Sequence, residues 1–237
     1  MSFFVSLLIN IITTIIVAML VSFLILGKEW FKVQIGRYKL NRRIYKAGIT
    51  NIYESRDDYS KYRNYPKVAP KLLDYLKLAT KNIYISAYWM AHGTEIEGIT
   101  HGIIDLVKPP KSLNIVACVI NPDSSCIHSI SLHLGIPEKQ LIERIEASIF
   151  KLKKEKDRLS EEEKKRFIIK IYDSLPIASV IMLDYGFESC RMQLEFKPYH
   201  VARHYNFSIE LSGNDNGLYK LFSDSFFKQI DDAKAIY

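Results

Sequence analysis

The sequence predicts an α/β domain with a mixed sheet, carried behind a single N-terminal transmembrane helix. Three observations lead there. Met1–Gly27 holds no charged side chain, and from Phe3 to Leu26 it is long enough, at about 1.5 Å per residue, to cross a hydrocarbon core of about 30 Å. Behind it, short apolar runs alternate with amphipathic helices, strand then helix then strand then helix. Several strands then follow in succession, which makes the sheet mixed.

The first stretch is not uniformly apolar. Ser2, Ser6, Asn10, Thr14, Ala18 and Ser22 recur every four residues, with Thr13 beside the row. On a helix this spacing makes one slowly winding stripe of small or polar side chains. Small residues let helices approach closely in lipid, and hydroxyl and amide groups hydrogen-bond across the contact. Asn10 is the costliest, because an amide facing lipid is unsatisfied. The expectation is a helix that packs against copies of itself through Ser6, Asn10, Thr13, Thr14 and Ser22, with the stripe toward its neighbours or a central wet lumen. A plain anchor is the alternative, since Ser and Thr also bond to their own helix carbonyls. A signal peptide fits poorly: there is no basic n-region, the apolar run is too long and no small-x-small site follows.

Basic residues come next. Lys28, Lys32, Arg37, Lys39, Arg42, Arg43 and Lys46 face only Glu29, a net +6 that leaves +1 of the formal +7 for the rest of the chain. The high isoelectric point is therefore a juxtamembrane property that suits lipid headgroups, and no argument for a nucleic-acid-binding domain. It also places the C-terminal side in the cytoplasm and the short N-terminus outside the inner membrane, in a single pass. Three domains follow: the membrane helix at 1–27, a basic stalk helix at 28–47 ended by Gly48, and a cytoplasmic α/β domain at 48–237. Cys118, Cys126 and Cys190 are odd in number and widely spaced, so reduced thiols are expected rather than a metal or disulfide framework.

Within the domain, Ile49–Pro66, with Tyr53, Arg56, Tyr59, Tyr62, Arg63 and Tyr65, reads as an irregular strap. Val68–Thr80 is a short amphipathic helix turning Leu72, Leu73, Leu76 and Leu78 inward. Ile83–Tyr88 is a buried strand. Thr94–Val107 is a helix with Thr94 as N-cap and Glu97 three positions on, broken by Pro109-Pro110. Leu113–Ile120 is a second buried strand, ending in the turn Asn121-Pro122-Asp123. A long helix runs from Pro137 with Leu141, Ile142, Ile145, Ile149 and Leu152 at core spacing. Its charged tail, Lys151–Arg166, reads as solvated helical turns or a hairpin, with Ser160 and Glu163 forming a capping box. Strands follow at Phe167–Tyr172, Ser179–Asp184 and Arg191–Phe196, the last alternating Met192, Leu194 and Phe196 against Arg191, Gln193, Glu195 and Lys197. A terminal helix, Gly217–Ala235, turns Leu218, Leu221, Phe222, Phe226, Phe227 and Ile230 inward.

This order, with the phrases AGITNIYESRDDY, KNIYISAYWM, LNIVACVINPDS and LPIASVIMLDYGFESC, resembles a phospholipase-D-like domain over Ala47–Tyr237. In that family a His-x-Lys-x(4)-Asp motif supplies a nucleophilic His and a phosphate-holding Lys. Aligned on Asp184, the His position is Ile177 and the Lys position is Ser179. The resemblance thus implies a phosphate-binding fold without phosphodiester hydrolysis.

Other chemistry finds little support. His128 and His133 lie five apart, and His200 and His204 lie four apart with no third ligand evident, so no metal is expected. His92 and His101 stand apart from these pairs. No Gly-x-Ser-x-Gly elbow surrounds Ser86, Ser179 or Ser189, and no Gly-rich phosphate loop occurs. No cofactor is expected. What remains is a binding site: Arg191, Lys197, Tyr199, His200, Arg203 and His204 mix cations with an aromatic, as phosphates and stacked bases require. Ligands of such sheets collect at strand C-terminal ends, which adds Tyr88, Trp89, His92, Asn121, Asp123 and Ser124. The alternative is that Arg191 and Lys197 are solvated strand residues paired with Glu188 or Glu195.

The function expected is a non-enzymatic, homo-oligomeric effector in the lipid bilayer, a pore or ion channel gated by a nucleotide or short oligonucleotide, with a tetramer as one expected size. In architecture it resembles the transmembrane effectors of Hailong-type anti-phage defence, in which a nucleotidyltransferase partner makes a short DNA ligand that holds a channel shut. A membrane-tethered phosphodiesterase or phospholipase-like enzyme is the second reading, and plain tethering a third.

Overall fold

The computed structural model describes residues 34–53, 71–90, 95–200, 206–213 and 217–236. The apolar stretch 1–27, with Ser6, Asn10, Thr13, Thr14 and Ser22, lies outside them, as do His92, Thr94, Arg203, His204 and the strap beyond Tyr53. Among the described residues no helix is long and apolar enough to cross a membrane. The chain divides into two compact units, Met1–Lys46 and Ala47–Tyr237. Of the first, a helix at 34–46 (α1) is described, its Ile35, Tyr38, Leu40 and Tyr45 exposed.

The second unit is a mixed α/β fold. Its described elements run β1 (Ile49–Tyr53), α2 (Leu72–Leu76), β2 (Asn82–Ala87), α3 (Glu95–Val107), β3 (Asn114–Ile120), α4 (Ile127–Leu134), α5 (Glu138–Asp157), α6 (Glu161–Arg166), β4 (Phe167–Tyr172), β5 (Ser179–Leu183), β6 (Arg191–Phe196), β7 (Phe207–Ser212), α7 (Gly217–Asp232) and β8 (Lys234–Ala235). They form one eight-stranded sheet ordered β1-β7-β6-β5-β2-β3-β4-β8. β2, β3 and β4 are parallel, and every other pairing is antiparallel. The parallel part arises because helical connections return the chain to the same end, and the antiparallel part because β5, β6 and β7 follow without a crossover helix.

The apolar runs form strands because both sides of the sheet are covered. On one side α7 packs through Phe227 against Tyr84, rings 5.1 Å apart, while Ser86 Oγ donates to Gln229 Oε1 at 3.1 Å. On the other, Ile83, Ile85, Ile115, Ala117 and Ile169 meet the helical layer of α3 and α5. At roughly 25 cal/mol per Å² of apolar area, this continuous core dominates stability.

Several expectations need correcting. Leu78 and Leu221 are exposed, whereas Tyr75 and Tyr219 are buried, because helix phase follows the residues that meet the sheet. The charged tail of α5 is not wholly solvated: Glu155 and Lys156 are buried, and Leu159 tucks in before Ser160 caps α6 with the expected reciprocal box. On β6 the alternation breaks, since Gln193 and Glu195 are as buried as Met192 and Leu194. β1, α4, β7 and β8 had no counterpart in the sequence reading.

The registers define two edges. The ends of β2, β3, β4 and β6 and the starts of β5 and β7 share an upper edge, holding Tyr88, Asn121, Ser179, Lys197 and Phe207. The opposite, lower edge holds Lys81, Asp184, Arg191, Ser212 and Gly48.

Candidate ligand site

At the upper edge β6 runs out at Phe196 and delivers Lys197 beside the start of β5. Its Nζ donates to Ser179 Oγ at 3.1 Å and lies over the rings of Tyr88 and Trp89, at 4.2 and 5.1 Å from their centroids. An ammonium so placed is held by quadrupole attraction and a hydroxyl. Tyr88 donates its hydroxyl to the Pro176 carbonyl at 3.4 Å, and burial pushes its pKa up to about 12. It therefore remains a neutral wall.

His133, in the last turn of α4, closes the site from the side. Its Nε2 donates to the Lys197 carbonyl oxygen at 2.7 Å, fixing the tautomer. The His200 N–H donates to the His133 carbonyl at 2.9 Å. α4 ends at Gly135 in the left-handed region (φ 64°), and a Cβ there would stand 3.3 Å from the His200 ring, so glycine admits that approach. Tyr199 packs edge-on to His133 at 5.7 Å and against His200 at 4.3 Å. Against Tyr88, His133 and Lys197 lies a cavity of about 480 Å³ lined also by Ile130, Ile177 and Phe207, a volume suited to a small ligand.

The structure brings Lys197, Tyr199 and His200 together with Tyr88 and Trp89. It sets Arg191 elsewhere, at the lower end of β6, six residues and about 20 Å from Lys197 at about 3.3 Å per residue. There its guanidinium faces Glu210 at 3.8 Å, and neither Glu188 nor Glu195. Asn121 is at the upper edge, but its side chain shapes a turn: Nδ2 donates to Asp173 Oδ1 at 2.9 Å and Oδ1 accepts from the Asp123 N–H at 3.2 Å. His133, weighed in the sequence only as half of a poor metal pair, is the residue that reasoning missed. Its signal was its place in the connection leaving a strand end.

The remaining motif positions separate. Ile177 is 75% exposed. Asp184 is buried at the lower edge, where its carboxylate accepts from the N–H groups of Thr80 (2.9 Å), Lys81 (2.7 Å) and Asn82 (3.3 Å) and from the hydroxyls of Thr80 (2.9 Å) and Ser189 (3.0 Å). Burial alone would raise its pKa, but the Thr80 and Lys81 N–H groups and the two hydroxyls outweigh it and hold the pKa below the ordinary value. Asp184 is thus a structural clasp.

Beside the cavity, β6, β7 and β1 share a buried polar face. Glu210 accepts from Asn51 Nδ2 (2.8 Å) and Tyr53 OH (2.9 Å), and Glu195 accepts from Asn206 Nδ2 (3.0 Å). Among the described residues no group of His, Cys, Asp or Glu could hold a metal ion.

No family model matches the chain, and no curated protein sequence does. The structure is similar to that of TrmBL2, an archaeal chromatin protein described as showing a novel mode of DNA binding, with a TM-score of 0.43 and 11% identity over 89% of this chain. This chain spans 65% of that protein's length. It is also similar to Nuc, a phospholipase D family member from Salmonella typhimurium, with a TM-score of 0.41 and 9% identity over 69% of this chain and 86% of that one.

Proposed function

We propose that this chain is a non-enzymatic, homo-oligomeric effector of the inner membrane, a pore or channel of anti-phage defence, whose phospholipase-D-like domain binds a nucleotide or short oligonucleotide at the upper edge. The observation that carries the ligand part is Lys197, an ammonium fixed between a hydroxyl and two aromatic faces at the mouth of a cavity. A phosphate oxygen entering there gains a charge-assisted hydrogen bond, and a base finds Tyr88 or Phe207 to lie against. The non-catalytic part is supported by Ile177 and Ser179, which bring neither nucleophile nor cation. The membrane part rests on the uncharged stretch Met1–Gly27 and its polar stripe, and the basic run after it sets the topology. A nucleotidyltransferase partner that makes the ligand belongs to the same reading.

One observation favours the competing phosphodiesterase: His133 lines the same cavity as Lys197. The two readings part in one experiment on the full chain in detergent, with a fluorescent short oligodeoxynucleotide as probe. Lys197→Met should weaken binding by about 1.5–3 kcal/mol, or roughly 10- to 150-fold, with partial recovery in Lys197→Arg. Arg191→Ala, at the far edge, should leave binding unchanged. Unchanged binding in Lys197→Met overturns the site, and cleavage of the probe that His133→Ala abolishes overturns the non-enzymatic reading.

A further inference from the structure

The lower edge has a feature that ligand binding does not use. Between β5 and β6 the turn Tyr185–Ser189 stands out from the domain, with Tyr185 and Phe187 38% and 43% exposed, and nearby Leu78 is 52% exposed. The turn is rigidly held. The Asp184 clasp fixes its base, the Tyr185 N–H donates to Asn82 Oδ1 at 2.8 Å, and the Phe187 and Cys190 N–H groups close it on the Asp184 and Phe187 carbonyls. Tyr185 also rests on Phe227, rings 4.1 Å apart. Lys81 places its Nζ 5.9 Å from the Phe187 ring centroid, and Lys111 Nζ donates to the carbonyls of Lys77 and Ala79 at 3.0 and 3.1 Å. Glu188 is the acid within the turn, and Asp74 sits 3.4 Å from Lys77.

The chain enters the domain at this same edge. The Gly48 carbonyl accepts from the Ser212 N–H at 2.9 Å and the Ala47 carbonyl from the Leu218 N–H at 3.2 Å, and β1 starts beside the end of β7. Gly48 takes the left-handed conformation (φ 82°) that ends α1 there. The chain therefore enters the domain at the edge that displays Leu78, Tyr185 and Phe187.

We infer that this edge is a lipid-contacting face: Tyr185, Phe187 and Leu78 enter the interfacial layer of the bilayer while Lys77, Lys81 and Lys111 meet lipid phosphates. Aromatic rings favour that layer, and lysines reach headgroups along their own apolar stems. A stiff turn suits the role, because rings already fixed in place lose little freedom on insertion. The consequence is an oriented domain, its lower edge on the membrane and its Lys197 cavity at the opposite edge, open to the aqueous side. This inference rests on the membrane-anchored reading of Met1–Gly27.

The test uses the full chain in vesicles of phosphatidylcholine and phosphatidylglycerol in equal parts, with Cys126→Ser to remove the partly exposed thiol. A fluorophore goes on Phe187→Cys, on Leu78→Cys as an independent lower-edge site, and on Ile177→Cys at the upper edge. Flotation with the vesicles reports the anchor, and quenching by headgroup-nitroxide lipid reports contact. Flotation with several-fold stronger quenching at 187 and 78 than at 177 is the expected result. Flotation with no more quenching at 187 and 78 than at 177 overturns the lipid-facing edge and leaves the anchor standing. Failure to float overturns both.

Discussion

Asp184 offers the sharpest test of how the lower edge is held. Its carboxylate takes five donors from two separate segments, 80–82 and Ser189, and it sits at φ 53°. Asp184→Asn keeps the shape and tolerates that backbone angle, but gives up the charge and turns one acceptor into a donor facing N–H groups. A loss of about 1.5 kcal/mol follows for weakening charge-assisted bonds. Asp184→Ala removes every acceptor and strains a left-handed residue, for about 4 kcal/mol, of which Asp184→Gly should recover about 1 kcal/mol by relieving the backbone alone. For a domain of this size these correspond to drops of about 3–6 °C for Asn and about 8–16 °C for Ala.

The pH dependence fixes the sign. A carboxylate whose folded pKa is depressed contributes stability above its unfolded value, near 3.8, and loses it as pH falls through the folded value. The gap between the native chain and Asp184→Asn should therefore be full at pH 7 and shrink once pH drops below about 4. Thermal melts followed by circular dichroism across that range provide the measurement. If both Asn and Ala melt within about 1 °C of the native chain at neutral pH, or if the gap ignores pH, the clasp is not what holds this edge.

Two further outcomes follow from burial. Burial pushes the Cys118 thiol up to about 12, so iodoacetamide at pH 8 should alkylate Cys126 and spare Cys118 in the folded chain, as read by mass spectrometry, and equal labelling would refute the packing. Ser179→Lys, which sets a second cation beside Lys197, should destabilise the domain by about 3 kcal/mol, because Lys197 Nζ already stands 3.1 Å from Ser179 Oγ. A fully stable Ser179→Lys protein would mean that Lys197 is not held there.

The strands β2, β3, β4 and β5 were legible because each is a largely apolar run bounded by polar residues, and runs covered on both sides keep little alternation to confuse. β6 shows the converse. Arg191, Gln193, Glu195 and Lys197 alternate with apolar residues as if facing water, yet β7 and β1 bring Glu210, Asn51 and Tyr53 to the same side, and the polar face closes over itself. β7 (FSIELS) escaped notice for the same reason, since its Ser208 and Glu210 read as surface. Composition cannot tell a polar residue satisfied by protein from one satisfied by water. The site divides likewise. Lys197 and the strand-end aromatics follow from where ligands collect, but closeness in sequence misgrouped Arg191 with Lys197, because an extended strand carries six residues from one edge of a sheet to the other.

β5 links the two edges directly. It begins at Ser179, which receives Lys197 Nζ, and ends one residue before Asp184, which clasps 80–82 and the Tyr185–Ser189 turn. On the proposed reading a phosphate at the cavity competes with Ser179 for the Lys197 ammonium, so the first bond that ligand exchanges is one anchoring the start of this strand. A stiff strand alone transmits nothing; gating requires an element with two arrangements that ligand and membrane both bias. The Lys197–Ser179 bond can be such an element only if breaking it matters at a distance. Ser179→Ala distinguishes the cases. If the bond is a local prop, the variant binds probe with conductance control intact; if it couples the edges, the variant binds probe while its conductance no longer responds.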